Sequence, residues 1–183
     1  MARQKNSDVD VTEILSEIRK DPRYRKFKAI LQRTQGQLDL DKDRTEALSL
    51  HASRTSRKLY GDRQYSVKAL IDASLRDLSF RSRMVEIRVI VQRRVSYLKE
   101  AVNDFRRYLY TEYRDSLAGY SNEQQRKAFM ERVLTIALRV LQEAEDLIEM
   151  LDFLIKDIDA ANYNLKIFIE SLKLLDSSKG KIV

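Results

Sequence analysis

The run Arg19-Lys20-Asp21-Pro22-Arg23-Tyr24-Arg25-Lys26-Phe27-Lys28 places six cations and two aromatic rings within ten residues. Cations at this density can neutralise successive phosphates, and Tyr24 or Phe27 can stack on an unpaired base. The two rings can equally turn into a small core while the charges stay in water, and for them this is the favoured reading. Arg54, Arg57, Lys58 and Arg63 can extend the basic surface. The candidate nucleic-acid contacts are therefore Arg19, Lys20, Arg23, Arg25, Lys26, Lys28, Arg54, Arg57 and Lys58.

Two further groups carry charge that could meet a partner. Arg76, Arg81, Arg83, Arg88, Arg93 and Arg94 consist wholly of arginine, whose planar fork suits phosphate or carboxylate. They can bind a ligand, or they can pair internally with the acidic stretch Glu145, Asp146, Glu149 and Asp152. Arg106, Arg107, Tyr108, Tyr110, Tyr113, Arg114, Arg126 and Lys127 flank a short break in the helical pattern, where packing and partner contacts can both arise.

The remaining residue types narrow the chemistry. There is no Cys, and His51 is the only histidine, so thiolate chemistry and multi-histidine metal sites are excluded. Glu143, Glu145, Asp146 and Glu149 share a helix surface but lack the Glu-x-x-His pairs of di-iron bundles. Neither phosphate-binding glycine motif occurs. We expect no catalytic residues, no metal, no cofactor and no small-molecule substrate: the chain reads as a non-enzyme.

These residues must be positioned by helices. Only 4 Gly and 1 Pro occur in 183 residues, too few for the turns of sheets and loop-built sites. Asp21-Pro22 separates a helix over 9–20, capped by Ser7 or Asp10, from a second one with Tyr24, Phe27, Ile30 and Leu31 on its apolar side. Residues 36–43 give no clear pattern. A third helix is predicted from Arg44 to Leu59, stopping at Tyr60-Gly61.

Two far longer helices follow. Ser66 is a suitable N-cap, with Tyr65 placed to staple on Leu70, and no Gly or Pro intervenes before Leu117. The stripe Met84, Ile87, Val91, Val95, Leu98, Val102, Phe105, Leu109 and Tyr113 has helical spacing. After Leu117-Ala118-Gly119-Tyr120, Ser121 and Gln124 form a capping box for a helix to Asp176. Its positions Ala144, Leu147, Leu151, Leu154, Ile158, Ala161, Leu165, Phe168, Leu172 and Leu175 alternate steps of 3 and 4, a coiled-coil seam. The fold class is all-α. A small basic helical region (1–61) precedes a long antiparallel helical hairpin or coiled coil (62–178), and 179–183 form a tail.

Such a hairpin has more apolar surface than one helix pair hides. Ile148, Ile155 and Ile169 form a row beside the seam, Phe153, Ile167 and Leu174 lie on a third side, and Val85 and Val89 lie off the main stripe. Burying one such side chain is worth roughly 1.5–3 kcal/mol, so a homo-oligomer interface is predicted at Ile148, Phe153, Ile155, Ile167, Ile169 and Leu174.

Charge is unevenly spread. Residues 1–60 carry 14 Lys/Arg against 9 Asp/Glu, residues 61–120 carry 12 against 8, and residues 121–183 carry 9 against 11. The imbalance suggests a polyanion for the basic part and a different partner for the acidic end, or simply charge for solubility. The start lacks an apolar run behind its charges and no stretch of about 18 apolar residues occurs, so a cytoplasmic protein is expected.

In architecture the chain resembles the small terminase subunit of tailed phages. The long hairpin 66–176 and the small basic helical region 9–60 carry the likeness. A departure is Asp21-Pro22 between the first two helices, where a helix-turn-helix would have a glycine turn. The resemblance implies recognition of viral DNA, assembly into rings in the host cytoplasm, and regulation of a large motor subunit that carries the ATPase and nuclease. The alternatives are an adaptor coiled coil meeting an acidic protein, and a curved helical dimer on anionic membrane.

Overall fold

A computed structural model of the chain describes residues 11–54, 66–119 and 122–179. Among these residues there are five α-helices, one short 3-10 turn at Ser116–Gly119, and no strand. The caps and corners explain where each helix begins and ends.

Helix α1 (Val11–Lys20) buries Ile14 and Ile18, one turn apart. It closes where the Asp21 N–H donates to the Glu17 and Ile18 carbonyls. Pro22 opens α2 (Pro22–Gln37) at a position that needs no amide hydrogen, and Asp21 caps it by accepting from the Arg23 N–H at 2.6 Å. Gly36 does not interrupt this helix, which runs one residue further and ends as the Leu38 N–H bonds back to Thr34.

Helix α3 (Leu40–Ala52) departs from the expected 44–59. It starts earlier because Asp41 and Asp43 favour a helix N-terminus, and the described chain leaves it after Ala52, at Ser53 and Arg54. The predicted glycine stop at Tyr60-Gly61 lies outside the described residues, as do the caps Ser7 and Asp10 and the Tyr65 staple.

Helix α4 (Val67–Glu112) is capped as expected, with Ser66 Oγ accepting from the Ala69 N–H at 3.1 Å. Helix α5 (Glu123–Lys179) is capped by Asn122, whose Oδ1 accepts from the Gln125 N–H at 2.8 Å. Ser121, the cap read from the sequence, lies outside the described residues.

The two long helices pack against each other as an antiparallel hairpin. The direction follows from paired contacts: Arg81 reaches Asp159, and seven residues later Arg88 reaches Asp152, seven residues earlier on α5. Ser74 Oγ donates to Asn162 Oδ1 at 2.8 Å. The α4 stripe from Met84 to Leu109 is buried throughout, and so are the α5 seam leucines up to Leu165. Phe168 and Leu175 are exposed, whereas the sequence placed them in the seam. For Leu175 the reason is length: α4 ends about two turns beyond Ser74, opposite about residue 169 of α5.

The chain divides into two compact units, and these do not follow the expected 61/62 boundary. One unit joins the first 39 residues to 93–145. Here the Phe27 and Phe105 rings stack with centroids 4.7 Å apart, and Lys99 pairs with Glu145 at 3.1 Å. The other unit joins residues 40–92 to those from Asp146 onward, so that α3 shares a core with the first part of α4 and the later part of α5. No helix of the described residues is long and apolar enough to cross a membrane.

Candidate nucleic-acid interface and apolar outer stripes

The cations of the α1–α2 corner are presented to solvent by the packing of their neighbours. Tyr24 is half-buried and Phe27 buried, both against Phe105. Turning these rings inward leaves Arg19, Lys20, Arg23, Arg25, Lys26 and Lys28 exposed. Among the described residues, Arg19, Lys20, Arg25, Lys26 and Lys28 make no ion pair. Arg23 lies over the Tyr108 ring, 4.5 Å from its centroid. The aromatic pair is thus structural, and the cations remain available to an anion.

Asp21, the one acid in this run, is engaged elsewhere. Besides capping α2, it accepts from the Tyr108 hydroxyl at 2.5 Å and the Tyr113 hydroxyl at 3.1 Å. Partial burial pushes its carboxyl pKa up. The hydrogen bonds from Tyr108, the Arg23 N–H and Tyr113 outweigh that and hold it below the usual range. Hydrogen bonding to Asp21, then burial, pushes the Tyr108 phenol up to about 12. Tyr113 is raised as well, first by burial and then by Asp21. Two tyrosines of the group flanking the helical break therefore fix the position of the basic corner.

Arg54 is a correction. The sequence placed it on the basic surface, but it is only 4 % exposed and its Nη2 lies 2.7 Å from Asp157 Oδ2. His51 Nε2 lies 2.7 Å from the same oxygen. The His51 hydrogen bond, with Arg54 adding its charge, holds the Asp157 carboxyl below its ordinary range against burial. These contacts tie α3 to α5. Arg57 and Lys58 lie outside the described residues.

The arginine series on α4 is largely engaged within the chain. Arg81 pairs with Asp159, Arg83 with Glu46 and Glu86, and Arg88 with Asp152, while Arg94 donates to the Gln37 carbonyl at the end of α2. Of the four expected acidic partners Asp152 pairs with this series, through Arg88, and Glu145 goes to Lys99 instead. Among the described residues no cluster of three or more His, Asp or Glu could hold a metal ion.

The expected oligomer-interface residues separate into two groups. Ile155 is 8 % exposed and is no candidate, because it faces the unit's own core two residues from the Asp157 anchor of α3. Ile148 and Ile169 are half-buried. Phe153, Ile167 and Leu174 are exposed, Phe153 by 67 %, and they recur on α5 at multiples of seven residues.

The sequence reading missed a longer stripe on α4. Ile71, Leu75, Leu78, Ser82, Val85 and Val89 step by 4-3-4-3-4, and Leu75 is 61 % exposed. The signal was present as a second heptad row about 140° around the helix from the buried one. No protein-family model, no curated protein and no solved structure matches this chain.

Proposed function

We propose that this chain is a self-associating helical protein that binds nucleic acid, DNA first, through the corner between α1 and α2. The observation that carries the reading is the exposed set Arg19, Lys20, Arg25, Lys26 and Lys28, without an ion pair among the described residues, at a corner where the Phe27 ring is stacked on Phe105. Its most specific form is DNA recognition in viral genome packaging, in the manner of a small terminase subunit, with a large motor subunit as second partner. A long helical hairpin beside a basic helical corner supports that form. The exposed heptad rows on α4 and α5 support association with further copies of the chain.

The engagement of Arg81, Arg83 and Arg88 by carboxylates weighs against the membrane reading, for which the arginine-rich helix would have to supply free cations.

The test is duplex binding, measured by fluorescence anisotropy across a salt series, with the mass of the protein in solution followed in parallel. Binding should weaken steeply with salt. Replacing Arg23, Arg25, Lys26 and Lys28 by Ala should lower affinity on the order of 100-fold or more and flatten the salt slope by about 3 to 4. Full affinity in that variant would remove the assigned site, and a monomer at all concentrations would remove the self-association.

A further inference from the structure

A cleft lies between α2 and α4, beside the basic corner but chemically unlike it. Its volume is about 490 Å³, and Ile30 and Phe105 line its floor. Arg23 and Lys26 stand on the α2 wall, Glu100 and Asp104 on the α4 wall. All four are exposed, and among the described residues none of them forms an ion pair with another group. Beyond Tyr108 a second hollow of about 530 Å³ continues past Arg107 to Glu112.

We propose that this cleft is a docking groove for an amphipathic helix of a partner protein, one that carries acidic side chains along one flank and basic side chains along the other. Three features decide the occupant. The charge pattern is of both signs, cations facing carboxylates across an apolar floor, so a ligand of one sign satisfies one wall and is repelled by the other. The length fits as well. From Tyr97 to Glu112 the α4 wall spans about 22 Å, four turns of a helix at about 1.5 Å per residue. An apolar face at i, i+3, i+4 and i+7 would lie on Ile30, Ala101 and the side of Tyr97.

The third feature concerns the rings. Phe27 and Phe105 stack on each other and are buried, and the face of Tyr108 is covered by the Arg23 guanidinium. Of the rings that line the cleft only Tyr97, at one end, is exposed, so a base could stack there alone, and Glu100 and Asp104 would repel its phosphate. Nucleic acid therefore follows the outer side of α2 at Arg25 and Lys28, with Arg23 and Lys26 on the rim that the two surfaces share, and the polypeptide takes this inner side. Because the two walls differ in sign, a partner with acids on one flank and bases on the other fits in one direction only.

The groove does not depend on the nucleic-acid reading, and one experiment separates them. Three synthetic helical peptides of about 16 residues share one leucine face and differ in their flanks: acidic on both, basic on both, or one of each. Their binding to the full chain is read by anisotropy. The mixed peptide should bind at least about tenfold more tightly than either other peptide. Glu100→Lys with Asp104→Lys, both at exposed positions, should transfer the preference to the all-acidic peptide without lowering affinity for duplex DNA. Equal binding of the three peptides, or no binding up to millimolar peptide, would overturn the proposal. So would displacement of the mixed peptide by single-stranded DNA together with loss of DNA binding in Tyr97→Ala. Circular dichroism melting confirms that each variant is folded.

Discussion

The basic corner of α1 and α2 and the arginine-rich first part of α4 are both rich in cations, yet their cations end differently. At α2 the acid of the same run, Asp21, is taken by a helix cap and two phenols, and the Lys and Arg side chains around it are exposed without an ion pair among the described residues. On α4 the arginines meet Asp152 and Asp159 of α5 and Glu46 of α3. Cation density alone therefore does not mark a ligand surface. What decides is whether the fold brings a carboxylate opposite, and that depends on residues far away in the chain.

The comparison can be strained in three ways. The largest effect is expected at Asp157→Asn, which removes the anion shared by His51 and by Arg54, a guanidinium 5 % exposed at its side chain. Leaving the buried guanidinium without its counter-charge costs about 1–3 kcal/mol even though an amide oxygen can still accept a hydrogen bond. Thermal melting should show the loss while duplex affinity stays within about twofold. A large drop in affinity would mean that the α3 region does contact the ligand.

A middle effect is expected when Arg81, Arg83 and Arg88 are replaced together by Ala. The pairs lie at the surface, where water and salt screen them, so each should contribute little. Stability should fall modestly, more so at low salt, with DNA binding nearly unchanged. A loss of affinity like that of the α2 variant would erase the distinction between the two regions.

The smallest effect is a pH dependence at Asp21. Its folded-state pKa is depressed, so its contribution is present above the unfolded carboxyl value of about 3.9 and fades as pH falls through the lower folded value. Tyr108→Phe with Tyr113→Phe should raise the Asp21 pKa and move the acid loosening of α2 to higher pH. An NMR titration of the Asp21 carboxyl follows this directly. An unchanged pKa would show that the phenols do not hold the corner.

Much of the fold was legible because its signals are local and repeated. The rows from Met84 to Leu109 and from Ala144 to Leu165 are heptad patterns, and Ser66 and Asp21-Pro22 are short-range caps and corners. Ile155 was misread because periodicity says which residues share a face but not how wide a face the unit buries. Arg54 was misread because its carboxylate lies more than a hundred positions away. The cleft was invisible for the same reason: it joins 23–30 to 97–108, and neither segment alone contains both walls. The α4 outer stripe is a weaker signal than the inner one, because it is interrupted by Ser82 whereas the row from Met84 to Leu109 is apolar throughout.

Asp21 also makes the orientation of the basic corner a separate property from its charge. A single negative side chain begins α2 and ties that beginning to two phenols, one in the last turns of α4 and one just past its end. Neutralising it would leave every lysine and arginine in place while letting the helix that bears them swing. Affinity and aim could then be lost independently, one by removing positive charge and the other by releasing the hinge beneath it.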